Sequence, residues 1–154
     1  MVSIHVYLSG EIHTDWRSEI MAACSEAGLP IIFLSPTLDH DLSDTIGTRI
    51  LGEESNPFWR DHKSAKINAI RIRYLIEKAD IVVVKFGEKY RQWNVAFDAG
   101  YAVAKGKLLL VLHSGELTHP LKEIDAAALA VAEKPEQVVS ILRHVVLDAE
   151  ETEI

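Results

Sequence analysis

A chain of 154 residues fits one domain and can bury a core without a disulfide staple. Its net charge of −7, with Lys and Arg scattered apart from the Arg71/Arg73 pair, argues against a partner made of nucleic-acid polymer, which selects a basic stripe. Cys24 is the only cysteine, which excludes an intramolecular disulfide and a cysteine-rich metal site.

In chain order, Ser3–Leu8 is a short β-rich run that stops at Ser9-Gly10 and predicts a first strand. Thr14 is placed to cap a helix whose apolar residues Trp16, Ile20, Ala23, Cys24 and Ala27 keep a 3.6-residue period, with Gly28 as its stop. Pro30–Leu34 predicts a second buried strand, and Thr37–Leu51 a polar, weakly patterned stretch with a short helix and a mobile loop. After the loop Gly52–Pro57, Asn56-Pro57 reads as a cap with proline at the first helical position. The helix from Phe58 to Lys78 carries Ile67, Ile70, Tyr74 and Leu75 on one face.

Asp80–Lys85 is apolar almost throughout, as in a parallel strand covered on both sides. The polar loop Gly87–Gln92 leads to a small-residue helix, Asn94–Lys105, ended by Gly106. Leu108–Leu112 predicts a fourth strand, Leu117–Ala126 a helix, Ala128–Ala132 a fifth strand and Pro135–Val146 a last helix with Val138, Leu142 and Val145 in phase. Residues 1–147 therefore read as a single domain and 148–154 as an acidic, frayed tail. No apolar run reaches the ~18 residues of a membrane span and no charged-then-apolar leader pattern opens the chain, so the expectation is a cytoplasmic protein with no membrane partner.

Strands alternating with helices predict a three-layer α/β fold of the flavodoxin/Rossmann-like kind, a five-stranded parallel sheet in the order 2-1-3-4-5. Ligands of such sheets bind beyond the C-terminal strand ends where the connections diverge, here the loops Ser9–His13 and Phe86–Asn94. Gly10 permits close backbone approach, and the following helix offers free N–H groups to an anion. Glu11 and His13 add an acid and a titratable base, or else solvate the loop and help cap the helix. Asp98, about one turn into its helix, sits where the helix dipole favours the ionised carboxylate. An anion held beside a sugar acts as a nucleophile or stabilises an oxocarbenium-like transition state, whereas the same acid facing solvent does neither.

Trp59 and Arg60, at the start of the long helix, supply either a stacking face and a cation over a ligand or ordinary surface polarity. Asn94 either caps its helix or touches a ligand. Tyr7 points either to the site or into the core. No histidine pair has metal-ligand spacing, so no metal is expected. No G-x-S-x-G elbow occurs.

Tyr7-Leu8-Ser9-Gly10, Ala79-Asp80-Ile81-Val82-Val83 and Phe97-Asp98-Ala99-Gly100-Tyr101-Ala102 with Gly106-Lys107 resemble the nucleoside 2-deoxyribosyltransferase family. YLSGEIHTDWR near the start and NPFWRDHKSAKINAIRIRYLIEKAD from Asn56 resemble the YtoQ family of that superfamily over most of the chain. The resemblance implies an N-glycosidic-bond enzyme, a 2-deoxyribosyltransferase or a hydrolase, acting on a nucleoside or nucleotide. It implies no cofactor and a homo-oligomer with sites near subunit interfaces. Asp98 matches the carboxylate nucleophile, Tyr7 the tyrosine that orients it, and Ser9 and Gly10 the loop near the sugar. Glu11 or His13 would donate a proton to the base, Asn94 and Arg60 would contact the ligand, and Trp16 or Trp59 would stack on it.

Two departures stand out. Asp98 replaces a glutamate, one methylene longer, and the family's acids at the leaving base fall at Ile72 and Gln92. A non-catalytic nucleotide-sensing module on the same fold is the alternative function.

Overall fold

Alternation along the first strand organises the molecule. In the computed structural model, which describes residues 3–147, β1 (Ile4–Gly10) is paired in parallel on one side with β2 (Ile31–Leu34) and on the other with β3 (Ile81–Lys85). β4 (Leu108–Leu112) and β5 (Ala130–Ala132) complete the expected order β2-β1-β3-β4-β5. The acidic segment 148–154, expected as a tail, lies outside the described residues.

Because successive strand side chains point to opposite faces, Val6 and Leu8 enter one core and Tyr7 the other. The first core packs β1 against Trp16, Ile20 and Cys24 of α1 (Trp16–Glu26) and Val138 and Leu142 of α6 (Pro135–Leu147). The second packs Tyr7, Val82, Val84, Leu109 and Val111 against Ile76 of α3 (Pro57–Lys78) and Val95, Ala99 and Ala102 of α4 (Trp93–Ala104). The small residues of α4 let its axis lie close to the sheet, and none of these side chains is more than 1% exposed. No helix among the described residues is long and apolar enough to cross a membrane.

Several expectations are corrected. The second strand sits at the sheet edge, so its residues are only half-buried and Ile32 is exposed. Thr14 does not cap α1; Asp15 takes that place without a side-chain bond, and Thr14 turns to Glu11 instead. On α3, Ile70 and Tyr74 are 71% and 65% exposed, because the helix buries Ser64 and Ile76 instead. On α6 the buried row is Val138, Leu142 and Val146, at i, i+4, i+8, and Val145 is exposed. The stretch expected as one helix from Leu117 divides into a short 3₁₀ turn, Gly115–Leu117, and α5 (Lys122–Ala127).

The polar stretch after β2 is a regular helix, α2 (His40–Leu51), capped by the Asp39 side chain on the Leu42 amide. It is held to α3 by polar contacts. Ser64 Oγ accepts from the Gly47 amide at 3.0 Å and donates to the Asp44 carbonyl at 2.7 Å, and Asn68 Nδ2 donates to the Ser43 carbonyl at 2.9 Å. Gly47 permits this approach, since a Cβ there would lie 2.3 Å from the Ser64 backbone nitrogen. The Asn56 cap with Pro57 at the first position forms as expected, with Asn56 Oδ1 accepting from the Phe58 amide at 3.0 Å.

Gly47→Ala is expected to force α2 off α3 at a cost of about 2–3 kcal/mol, because backbone cannot rotate away from the added methyl. That lowers the thermal midpoint by roughly 5–10 °C. Gly100→Ala, where an added Cβ meets nothing within 4 Å, should leave the midpoint unchanged or raise it. Differential scanning calorimetry on the two variants checks both signs.

Candidate functional site

The C-terminal end of β1 is built around a buried cation. Arg17 is 6% exposed and donates to three backbone carbonyls, Leu8 at 3.1 Å, Gly10 at 3.0 Å and Glu11 at 2.7 Å. Burial pulls its guanidinium down to about 10, which leaves it charged at neutral pH. Trp16 Nε1 donates to the same Glu11 carbonyl at 2.9 Å. These bonds hold the loop while Gly10, at φ +140°, passes so close to β3 that a Cβ would sit 2.3 Å from the Lys85 carbonyl oxygen.

Ser9 follows Tyr7 on the face that meets α4. Its Oγ donates to Asp98 Oδ2 at 2.7 Å, across a pair that is 1% and 6% exposed. Asp98 shares the buried row of α4 with Val95, Ala99 and Ala102, so a carboxylate occupies a slot in an apolar stripe. It lies beyond the first helical turn, where the dipole effect has faded. Burial therefore dominates and pushes its carboxyl up to about 6, against the lowering by the Ser9 bond. The expectation that the helix dipole holds Asp98 as an easily ionised acid is corrected: burial governs the carboxyl and holds it above its ordinary range.

The two acids of the site are opposites. Burial alone would raise Glu11, but its carboxylate accepts from the Thr14 hydroxyl and from the amides of His13 at 2.7 Å and Thr14 at 3.1 Å, with Lys85 adding positive charge. The net effect lowers it, so Glu11 is a fixed anion that shapes the loop. His13 is exposed, with its ring 4.8 Å from that of Tyr90.

A cavity of about 570 Å³ opens over these groups. Of the residues singled out in the sequence, Ser9, Gly10, Glu11, His13, Asn94 and Asp98 line it. Tyr7 lies buried behind the wall, its hydroxyl without a hydrogen-bond partner among the described residues, and burial with the nearby Asp98 charge keeps the phenol protonated far above its ordinary range. The side chain that holds Asp98 is thus Ser9, not Tyr7. Trp16 is 1% exposed in the core and presents no stacking face. Trp59 and Arg60 are exposed at the start of α3, outside the cavity lining, with Trp59 against the rings of Phe58 and His62. Asn94 is in the first turn of α4, whose cap position is Gln92.

The sequence reading missed a second wall, formed by Thr37, His40, Ser43, Asn68 and Arg71, and the ring of Tyr90. Ser64 and Asn68, polar and one turn apart on the inner side of a long helix, were the available signal.

Residues 7–146 match the model of the family described as Nucleoside 2-deoxyribosyltransferase YtoQ. The chain belongs to this family. It is 45% identical over 139 residues to the "Uncharacterized protein YtoQ" of Bacillus subtilis (strain 168), covering 90% of this chain and 94% of that protein. Among solved structures, a 2-deoxyribosyltransferase from Bacillus psychrosaccharolyticus superposes with a TM-score of 0.56 at 18% identity, covering 90% of this chain and 95% of the other. A conserved protein from Enterococcus faecalis V583 gives 0.65 at 11% identity, covering 94% and 100%. At such identities the two structures establish the shared fold.

Asp98 binds a proton more tightly folded than unfolded, so its contribution to stability is largest below about 4 and is lost as pH rises through about 6. Asp98→Asn is therefore expected to be more stable than the parent at pH 7–8, by up to about 3 kcal/mol. The gap should close as pH falls from 6 to 4. Urea unfolding across that range measures it, and a gap independent of pH would contradict the burial argument.

Proposed function

We propose that this chain makes and breaks the N-glycosidic bond of a nucleoside or nucleotide, with Asp98 as the nucleophile. The reading is carried by one observation: a buried carboxyl poised near pH 6 and held by Ser9 in the cavity at the topological switch point of the sheet. Family membership supports the same chemistry. Asp98 Oδ1, which accepts no bond from the protein among the described residues, attacks the anomeric carbon. The bond from that carbon to the base nitrogen breaks and its electron pair leaves with the base. His13 gives the proton that neutralises the base, a task for which Glu11 is unsuited because its bonds keep it anionic. Attack on the anomeric carbon by a second base, or by water, breaks the bond to Asp98 and gives transfer or hydrolysis, and His13 takes back the proton of the incoming group. Asn94, at the start of α4, contacts the ligand.

Incubation with deoxynucleosides plus a second free base, and separately with nucleoside monophosphates, tests this by chromatography of the bases. Asp98→Ala is expected to lose about a thousandfold or more, and His13→Gln about a hundredfold or more. The parent kcat/KM should rise with pH through about 6 as Asp98 ionises. Ser9→Ala should move that limb upward, since the Ser9 bond favours the anion. Undiminished turnover in Asp98→Ala, or ligand binding with no turnover in the parent, overturns the proposal; the second result assigns the cavity to sensing.

We also propose a homo-oligomer with sites near subunit interfaces. Its support is an apolar face beside the cavity, Ile70 and Tyr74 one turn apart on α3 and Trp93 and Phe97 one turn apart on α4, all more than 60% exposed. Tyr101 of α4 reaches Glu77 and Arg73 of α3, so the two helices lie side by side. Sedimentation velocity should find the parent above monomer mass and a Trp93→Lys/Phe97→Lys double variant at it.

A further inference from the structure

The wall of the cavity nearest β2 carries donors that the protein does not use. Arg71 comes from α3, and its one hydrogen bond among the described residues is a long one, Nη2 to the Ser35 carbonyl at 3.3 Å. It forms no ion pair among the described residues, in a chain with 23 acidic against 16 basic side chains. Of the chain's seven arginines, Arg71 is the one that lines the cavity, and no lysine lines it. This one keeps most of its donor fork directed to solvent at a cavity that also holds Asp98.

Two hydroxyls join it. Ser43, in the first turn of α2, accepts from Asn68 Nδ2 at 3.1 Å, which leaves the Ser43 proton free to donate. Thr37, in the loop after β2, makes no side-chain hydrogen bond among the described residues. The acid on this wall, Asp44, is faced by His40 Nδ1 at 3.3 Å. Beside that His40–Asp44 pair, the wall offers one guanidinium and two hydroxyl donors. That set suits a tetrahedral oxyanion, whose oxygens accept from a fork and from hydroxyls together.

We propose that Arg71, Ser43 and Thr37 form an anion subsite that takes a phosphate group of the ligand, so that the preferred ligand is a nucleotide and not the bare nucleoside. The inference rests on the nucleoside reading of the cavity for the ligand's other half and assigns the β2-side wall to the phosphate. Arg71 is solvent-exposed, so replacing it leaves the core intact.

Isothermal titration calorimetry on the full chain tests it with inorganic phosphate, adenosine, 2′-deoxyadenosine and the 5′-monophosphates of both nucleosides, in the parent, Asp98→Asn, Arg71→Gln and Arg71→Lys. The expected result is a monophosphate bound at least tenfold more tightly than its nucleoside in the parent and in Asp98→Asn. Arg71→Gln loses that advantage and Arg71→Lys recovers part of it, with circular dichroism confirming the fold. Binding of nucleoside and monophosphate with equal affinity, or an advantage that survives in Arg71→Gln, overturns the subsite. Arg71-dependent binding of inorganic phosphate without any nucleotide binding supports the subsite and overturns the nucleoside reading. No binding by any probe overturns both.

Discussion

A strand hydrogen-bonded on both edges and covered on both faces has no freedom in where its side chains point, and β1 is such a strand. A shift of one residue would carry Val6 and Leu8 out of their core and Tyr7 into it. The same parity that buries Tyr7 beneath α4 puts Ser9 one step further along that face, where the strand ends and the cavity begins. Asp98 is reached only because α4 crosses at that level. The 2.7 Å bond between Ser9 and Asp98 is therefore a consequence of strand register as much as of the two residue types.

The buried charges around that bond are arranged to keep it in place. Removing a guanidinium from water is costly unless its donors are satisfied, and Arg17 meets that condition with backbone carbonyls instead of a carboxylate. It thereby ties three carbonyls of the turning chain to one rigid plane without neutralising the acids of the site. Glu11 does the complementary task on the other side of the loop, accepting from amides that the irregular backbone would leave unpaired. Asp98 is the acid left without such a set of donors, which is why burial governs its proton affinity.

Legibility in the sequence followed the range of the interactions involved. Strand order came from the alternation of elements, and the helix stops at Gly28 and Gly106 and the cap at Asn56-Pro57 came from local chemistry. The switch-point rule led to Ser9, Gly10, Glu11, His13, Asn94 and Asp98. Trp16 illustrates the opposite case: an aromatic at a helix start looks like a stacking surface until the packing of α1 on the sheet buries it. Trp59 and Arg60 fail for a related reason, since α3 is long enough to hold its first turn away from the cavity. Arg71 and Ser43 were invisible as a wall because their sharing one cavity depends on how α2 folds back on α3 through Gly47 and Ser64, a contact between helices that no local pattern encodes.

The sequence by itself determined the elements, their order and the end of the sheet where the cavity opens, because period, turn chemistry and right-handed crossover are short-range or topological constraints. It also determined the family, through motifs that keep their spacing along the chain. The tertiary structure alone decided which buried acid is left with a single donor and which is fixed as an anion by several, that Ser9 and not Tyr7 holds Asp98, and that a second wall of donors shares the cavity with it. Those outcomes depend on desolvation and on distances between elements far apart in the chain, and neither quantity exists until the layers have packed.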